Sequence, residues 1–284
     1  MRAPAHGRGT TTMSSRKALP RLSIAFALSF LAVAGHSQTR PPALSLNGDA
    51  AVITILVRPD RTKEFEEVLG YVLRSTDGWQ VFRSQERVQA NATYIVRLDP
   101  FLNEQDYDFT RLISQRFPGE AVRLNRTYRE ALMGRAVTVM SRFPVDGLGA
   151  PEAAGAAGTD LPSKITPVLS FDDADAAIVS ILVKPDLVKN FEETLTVLGR
   201  AVGSSPDLQR RRQGAGWKVF KGAERVNGSA IYVMSLDPVV RHTEYDPIRL
   251  IQEAYPNQIQ QIFQRYREAF VGQSVLRLSR VKVP

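Results

Sequence analysis

The run Ala51-Val52-Ile53-Thr54-Ile55-Leu56-Val57-Arg58-Pro59-Asp60 returns later in the chain as Ala177-Ile178-Val179-Ser180-Ile181-Leu182-Val183-Lys184-Pro185-Asp186. Seven residues that are apolar at almost every position read as a strand buried on both faces. The Pro-Asp behind each run starts a helix, with the aspartate as its N-cap. Outward from these two stretches the likeness continues. Phe65, Val68, Leu69 and Val72 fall at i, i+3, i+4, i+7, as do Phe191, Thr194, Leu195 and Leu198, giving each helix one mainly apolar stripe. Glu66 and Glu67 recur as Glu192 and Glu193, Gly78-Trp79 as Gly216-Trp217, and Leu98-Asp99-Pro100 as Leu236-Asp237-Pro238. Tyr128-Arg129-Glu130-Ala131 recurs as Tyr266-Arg267-Glu268-Ala269. A repeat of this length is a domain duplication, and one fold must satisfy both copies.

Within each copy two short apolar runs, 79–83 and 93–98, then 217–221 and 231–236, are separated by polar residues and read as antiparallel hairpins. Asp108 and Asp246 open a second helical region, and Pro118 and Pro256 interrupt it. Gly134 and Gly272 stand where a left-handed helix cap belongs, and 137–140 and 275–278 close each copy as a last strand. The order β-α-β-β-α-β is the ferredoxin-like pattern, in the α+β class. It carries both helices on one face of its sheet. With Val52, Leu56, Tyr94 and Val96 apolar on either side of their strands, leaving the second face wet would forfeit ~1.5–3 kcal/mol per side chain. Several such losses exceed a typical stability of ~5–15 kcal/mol. The sheet of the other copy is the nearest cover.

On these elements the chain resembles the dimeric α/β-barrel superfamily, with two ferredoxin-like repeats packed sheet to sheet as an intrachain α/β barrel. It is also similar to exported bacterial proteins carrying the opening seen here as Lys184-Pro185-Asp186 and the segment Gly216-Trp217-Lys218-Val219-Phe220. The expected organisation is a leader at 1–38, a first repeat at 39–143, a Gly/Ala/Pro-rich flexible linker at 144–165 and a second repeat at 166–284. The second copy is longer by 12 residues between its first helix and second strand. There Ser205-Pro206-Asp207 reads as the start of an extra helix.

The leader reading rests on five Lys/Arg residues before an apolar run at 22–34, followed by the small-x-small pattern Ala32-Val33-Ala34. That run of 13 residues falls short of the roughly 18 needed to span a bilayer, so cleavage rather than anchoring is expected, with a periplasmic or secreted location. Either Met1 or Met13 serves as the start. The full chain carries 37 Lys/Arg against 29 Asp/Glu, a net charge of +8, but the leader holds five of the basic residues and no acid, which leaves +3. So small an excess gives no electrostatic footprint for nucleic acid. The chain has no cysteine, which removes disulfides, thiolate catalysis and Cys-based metal sites.

No phosphate loop, metal spacing or nucleophile elbow is present, and a catalytic set is not identifiable. Individual residues offer candidates for ligand contact. Trp79 and Trp217 line a cavity or simply pack; Tyr94 and Tyr232 do likewise with a hydroxyl to satisfy. Arg97 and Arg277 interrupt apolar strands and need an anion or an internal partner. Asp237 is a general base or a turn residue before proline. His242, the only histidine beyond the leader region, is a loop residue or, as the resemblance implies for some α/β-barrel families, a haem ligand. Arg210-Arg211-Arg212 fans out by about 100° per residue and is expected as a solvated helix face. The reading that follows is a non-catalytic exported barrel that binds a small apolar or amphipathic ligand or has a structural role, with no cofactor, as a monomer of pseudo-dimeric halves or a homo-oligomer. The alternative implied by the resemblance is a cofactor-independent or haem-dependent monooxygenase-like enzyme using His242, Trp217 and Asp237.

Overall fold

The computed structural model describes residues 48–76, 78–100, 107–149 and 166–281. The expected leader and the linker residues 150–165 lie outside them. Among the described residues, the first half comprises β1 (Ala50–Val57), α1 (Thr62–Arg74), β2 (Gln80–Ser84), β3 (Ala92–Leu98), α2 (Phe109–Arg116), α3 (Ala121–Ala131) and β4 (Leu132–Arg142). The second comprises β5 (Ala176–Val183), α4 (Val188–Gly203), α5 (Leu208–Ala215), β6 (Trp217–Gly222), β7 (Ala230–Leu236), α6 (Pro247–Ala254), α7 (Ile259–Ala269) and β8 (Phe270–Arg280).

The strands follow the order β1-β3-β2-β8-β5-β7-β6-β4 around a closed, wholly antiparallel barrel. Each half therefore supplies a ferredoxin-like sheet, β4-β1-β3-β2 and β8-β5-β7-β6. The two sheets do more than face each other, because their edges are hydrogen-bonded. The ends of β4 and β8 run past their own sheets, so that Arg142 pairs with Phe220 of β6 and Arg280 with Phe82 of β2. β1 and β5, each in the middle of its sheet, show why both runs are apolar throughout. Ala51, Ile53, Ile55 and Val57 meet the helices, while Ala50 and Val52 point into the lumen. The lumen core also holds Phe82, Ile95, Met140, Ile178, Phe220, Val233 and Leu278.

Several local expectations change. Asp60 and Asp186 do not cap α1 and α4; each lies in a short 3-10 turn, Pro59–Arg61 or Pro185–Leu187, and the Asp60 carboxylate is held 3.0 Å from the Arg58 guanidinium. Proline fixes the first turn one step before the α-helix proper. Asp108 and Asp246 do cap, accepting from the amides of residues two and three positions on. Gly134 and Gly272 are not left-handed caps. They pair within β4 and β8, opposite Leu56 and Leu182, because extended Leu132 and Phe270 let each strand begin on the last helical turn. The extra helix forms as the sequence implies, α5 being capped by Asp207. The β6–β7 hairpin turns through Asn227 (φ 50°) and Gly228 (φ 79°), the pair that tolerates such angles, whereas the β2–β3 hairpin turns through Gln89 (φ 51°) and Ala90 (φ 65°).

The first residues after β4 do not behave as a free linker. Val145 and Leu148 are buried in the second half's core. The backbone at Gly147 (φ 86°) crosses α4 where Gly199 and Gly203 lie one turn apart, so closely that a Cβ on Gly199 would stand 2.2 Å from the Asp146 carbonyl oxygen. Gly199 and Gly203 are used here for their lack of bulk, and Gly147 for that and for its positive φ.

Candidate functional site

Strand alternation divides the barrel lumen into two ends. β1 and β5 run one way and β3, β4, β7 and β8 the other. The starts of β1 and β5 therefore share one end with the finishes of β3 and β7. At that lower end the lumen is plugged. Arg97, at the last lumen-facing position of β3, donates to Ser235 Oγ at 2.8 Å and also bonds Gln80 Oε1 and Asp237 Oδ2. Arg280 bonds the other oxygen of Asp237. Both guanidiniums sit over the Phe82 ring, 5.5 and 5.1 Å from its centroid. Lys218 Nζ reaches Asp99 Oδ2 at 2.7 Å. The Arg97–Asp237 and Lys218–Asp99 pairs join one half to the other, while Arg280–Asp237 lies within the second half.

Above the plug the lumen is hollow. A cavity of about 160 Å³ is lined by Val52, Thr54, Thr93, Ile95 and Thr138 of the first half and by Ile178, Ser180, Leu182, Ile231, Val233, Gln273, Ser274 and Leu276 of the second, with Val88 and Val226 of the hairpins at its rim. None of these side chains is ionisable. Such a lining suits an uncharged molecule and offers no acid or base for proton transfer. A dry apolar cavity of about 150 Å³ is known to accept benzene.

The sequence candidates fall elsewhere. Trp79 and Trp217 point away from the lumen into the helix–sheet cores; Trp79 stacks on Tyr107 at 5.8 Å and Trp217 tilts against Tyr245 at 5.6 Å. Tyr94 and Tyr232 lie on the same outer face. The Tyr94 hydroxyl donates to Glu66 Oε1 at 2.6 Å and Arg83 approaches that oxygen at 3.3 Å. Tyr232 donates likewise to Glu192, which Lys221 meets at 2.9 Å. This repeated Tyr-Glu-cation triad is a convergent polar constellation that sequence reasoning missed, although both glutamates stand at matching places in the repeat. Burial pushes the Glu192 carboxyl up, but the Tyr232 hydroxyl and the Lys221 ammonium outweigh it and hold the group below the usual carboxylate range.

Arg277 sits on the outer face of β8 with Glu86 at 3.1 Å and Asp173 at 3.9 Å, an internal pair beside the β2–β8 join rather than an anion site. Asp237, engaged by two guanidiniums, is not a free general base. His242 is 83% exposed on the loop after β7, with its Nδ1 3.3 Å from Asp172 Oδ2. Nothing there encloses a macrocycle, so the described residues do not fit haem ligation by His242. Of the three arginines at 210–212, Arg210 is buried rather than solvated, pairing with Glu253 at 2.9 Å and docking α5 on α6. Among the described residues no group of three or more His, Asp or Glu is placed to hold a metal ion. Among them also, no helix is long and apolar enough to cross a membrane.

Five phenols share one electrostatic fate. Burial raises Tyr128 to about 12. Burial likewise raises Tyr245 and Tyr266, and burial together with a glutamate partner raises Tyr94 and Tyr232. Each folded value lies above the ordinary 10 of an unfolded chain. Their contribution is therefore complete below pH 10 and is lost as pH climbs towards the folded values. In an alkaline titration, phenolate absorbance at 295 nm from these five is expected to rise together with loss of the near-ultraviolet circular dichroism. Full ionisation beneath an intact native spectrum would contradict this burial.

Comparison with known proteins gives no family model that matches this chain and no match among curated proteins. Among solved structures, the chain is similar to a proposed monooxygenase of Fusobacterium nucleatum (14% identity, 82% of this chain and 92% of that one, TM-score 0.44). It is also similar to one of Lactobacillus acidophilus (9%, 82% and 94%, 0.42). A chlorite dismutase mutant of Candidatus Nitrospira defluvii, in complex with cyanide, is comparable (9%, 83% and 92%, 0.41). Likenesses this distant say nothing of activity, and the fold assignment rests on the strand order.

Proposed function

We propose that this protein is an exported, non-catalytic binder of a small, uncharged, largely apolar molecule, held in the upper part of the barrel lumen. The observation that carries the reading is the cavity of about 160 Å³ with no ionisable side chain in its lining, above an end plugged by Arg97 and Asp237. The enzyme alternative needs His242, Trp217 and Asp237 to converge. Instead one is on the outer surface, one is in a helix–sheet core and one is in the plug. Export rests on the leader-like segment at 1–38, and N-terminal sequencing of mature protein from a periplasmic fraction tests it.

Binding is tested by calorimetric titration and thermal melts with toluene. A ligand at 100 times its Kd is expected to add about 2.7 kcal/mol of stability. Ser180→Phe places a ring in the cavity and is expected to fold while losing the response. Equal responses in both proteins, or none in either, would overturn the lumen as the binding site.

A further inference from the structure

The two halves of the cavity wall are not alike. Thr93, Thr54 and Thr138 of the first half stand where the second has Ile231, Ser180 and Leu276. The register sets the three threonines on a diagonal. Thr54 lies opposite Ile95 and Ala136, Thr93 opposite Leu56, and Thr138 opposite Val52. Successive residue positions on such a diagonal are about 7–8 Å apart. The facing wall holds Ile178, Ile231, Val233 and Leu276, with Ser180, Gln273 and Ser274 as its polar members.

One of these hydroxyls lacks a partner. Thr93 is fully buried, lines the cavity, and its Oγ1 makes no hydrogen bond within the protein. A buried hydroxyl left unsatisfied is destabilising, and such groups in native proteins normally find protein, water or ligand. The cavity that Thr93 helps to line is the lumen. Aliphatic groups on both sides, three threonines in the first half, Ser180, Gln273 and Ser274 in the second and no charge select a neutral molecule with a polar group. The volume limits it to about a single ring.

We infer that the lumen takes a neutral monocyclic ligand bearing a hydroxyl or carbonyl group, and that Thr93 fixes its orientation by hydrogen-bonding that group. This rests on the lumen-binding reading above but goes beyond it, since a purely apolar site would reject a ligand hydroxyl. Thr93 serves as a specificity residue. In the second half Ile231 removes the equivalent donor, so the two ends of the ligand are distinguished.

The test compares toluene and phenol, which differ by a methyl against a hydroxyl, on wild type, Thr93→Val and Ile231→Thr. Wild type is expected to bind phenol at least as tightly as toluene. Thr93→Val, which keeps shape and strand preference, is expected to weaken phenol about tenfold and leave toluene unchanged. Ile231→Thr is expected to strengthen phenol binding relative to toluene. If wild type binds neither probe, the lumen reading itself fails and takes this inference with it. If it binds both and Thr93→Val leaves their ratio unmoved, as it would were Thr93 merely satisfied by a trapped water, the assignment of Thr93 alone is overturned.

Discussion

Asp237→Ala is expected to lower stability by about 3–5 kcal/mol, because it leaves a buried guanidinium without its counter-ion. The side chains of Arg97 and Asp237 are only 10% and 5% exposed, and they come from opposite halves. Arg280, the second partner, is 46% exposed and can turn to solvent; Arg97 cannot. The cost therefore falls on Arg97, which keeps Ser235 and Gln80 but no charge to balance it. Denaturant unfolding of the variant measures the loss. Arg97→Met with Asp237→Leu removes both charges at once and is expected to recover most of it, since paired apolar replacements of buried ion pairs are often neutral or stabilising. A single Asp237→Ala variant within 1 kcal/mol of wild type would show that the plug is solvated.

The second large effect lies at the crossing of residues 145–149 over α4. In an open helix, Gly→Ala stabilises by about 1 kcal/mol. At Gly199 the added carbon meets the Asp146 carbonyl oxygen at 2.2 Å, and at Gly203 it meets the Gly147 Cα at 2.2 Å. Both obstacles are backbone, so neither can swing aside. Overpacking of this kind costs about 1–3 kcal/mol or more. The sign of the substitution is thus reversed, and Gly199→Ala is expected to destabilise by about 2–3 kcal/mol. Gly119, with no atom within 4 Å of its would-be Cβ, provides the control and is expected to change little on substitution by alanine. Thermal unfolding of the two variants separates a crossing that is tight in solution from one that is loose.

The duplicated strand-helix pattern made the architecture legible. Residues 51–57 and 177–183 are apolar at both alternating positions because one face meets helices and the other the lumen. That same apolar symmetry hid the site. In β3 the alternation separates Tyr94, Val96 and Leu98 from Thr93, Ile95 and Arg97, but nothing local says which set faces the lumen. The aromatic residues were the more conspicuous, and they went to the helices. Arg97 was readable as a charge in need of a partner, yet the partner, Asp237, lies 140 residues away in the other repeat. His242 attracted attention by rarity, which carries no information about burial. Glycines 147 and 149 read as flexible by composition; only the crossing shows that Gly147 is required both for its thinness and for its positive φ.

Closure of the barrel has a consequence for the duplication itself. The β2–β8 and β4–β6 joins are one contact made twice, Phe82 to Arg280 and Phe220 to Arg142. A half produced alone would have two raw margins that suit a second copy of itself, and is expected to pair with one in a manner that fades on dilution. Fusion of the repeats makes that encounter intramolecular, so the whole chain keeps its closed wall however scarce it becomes.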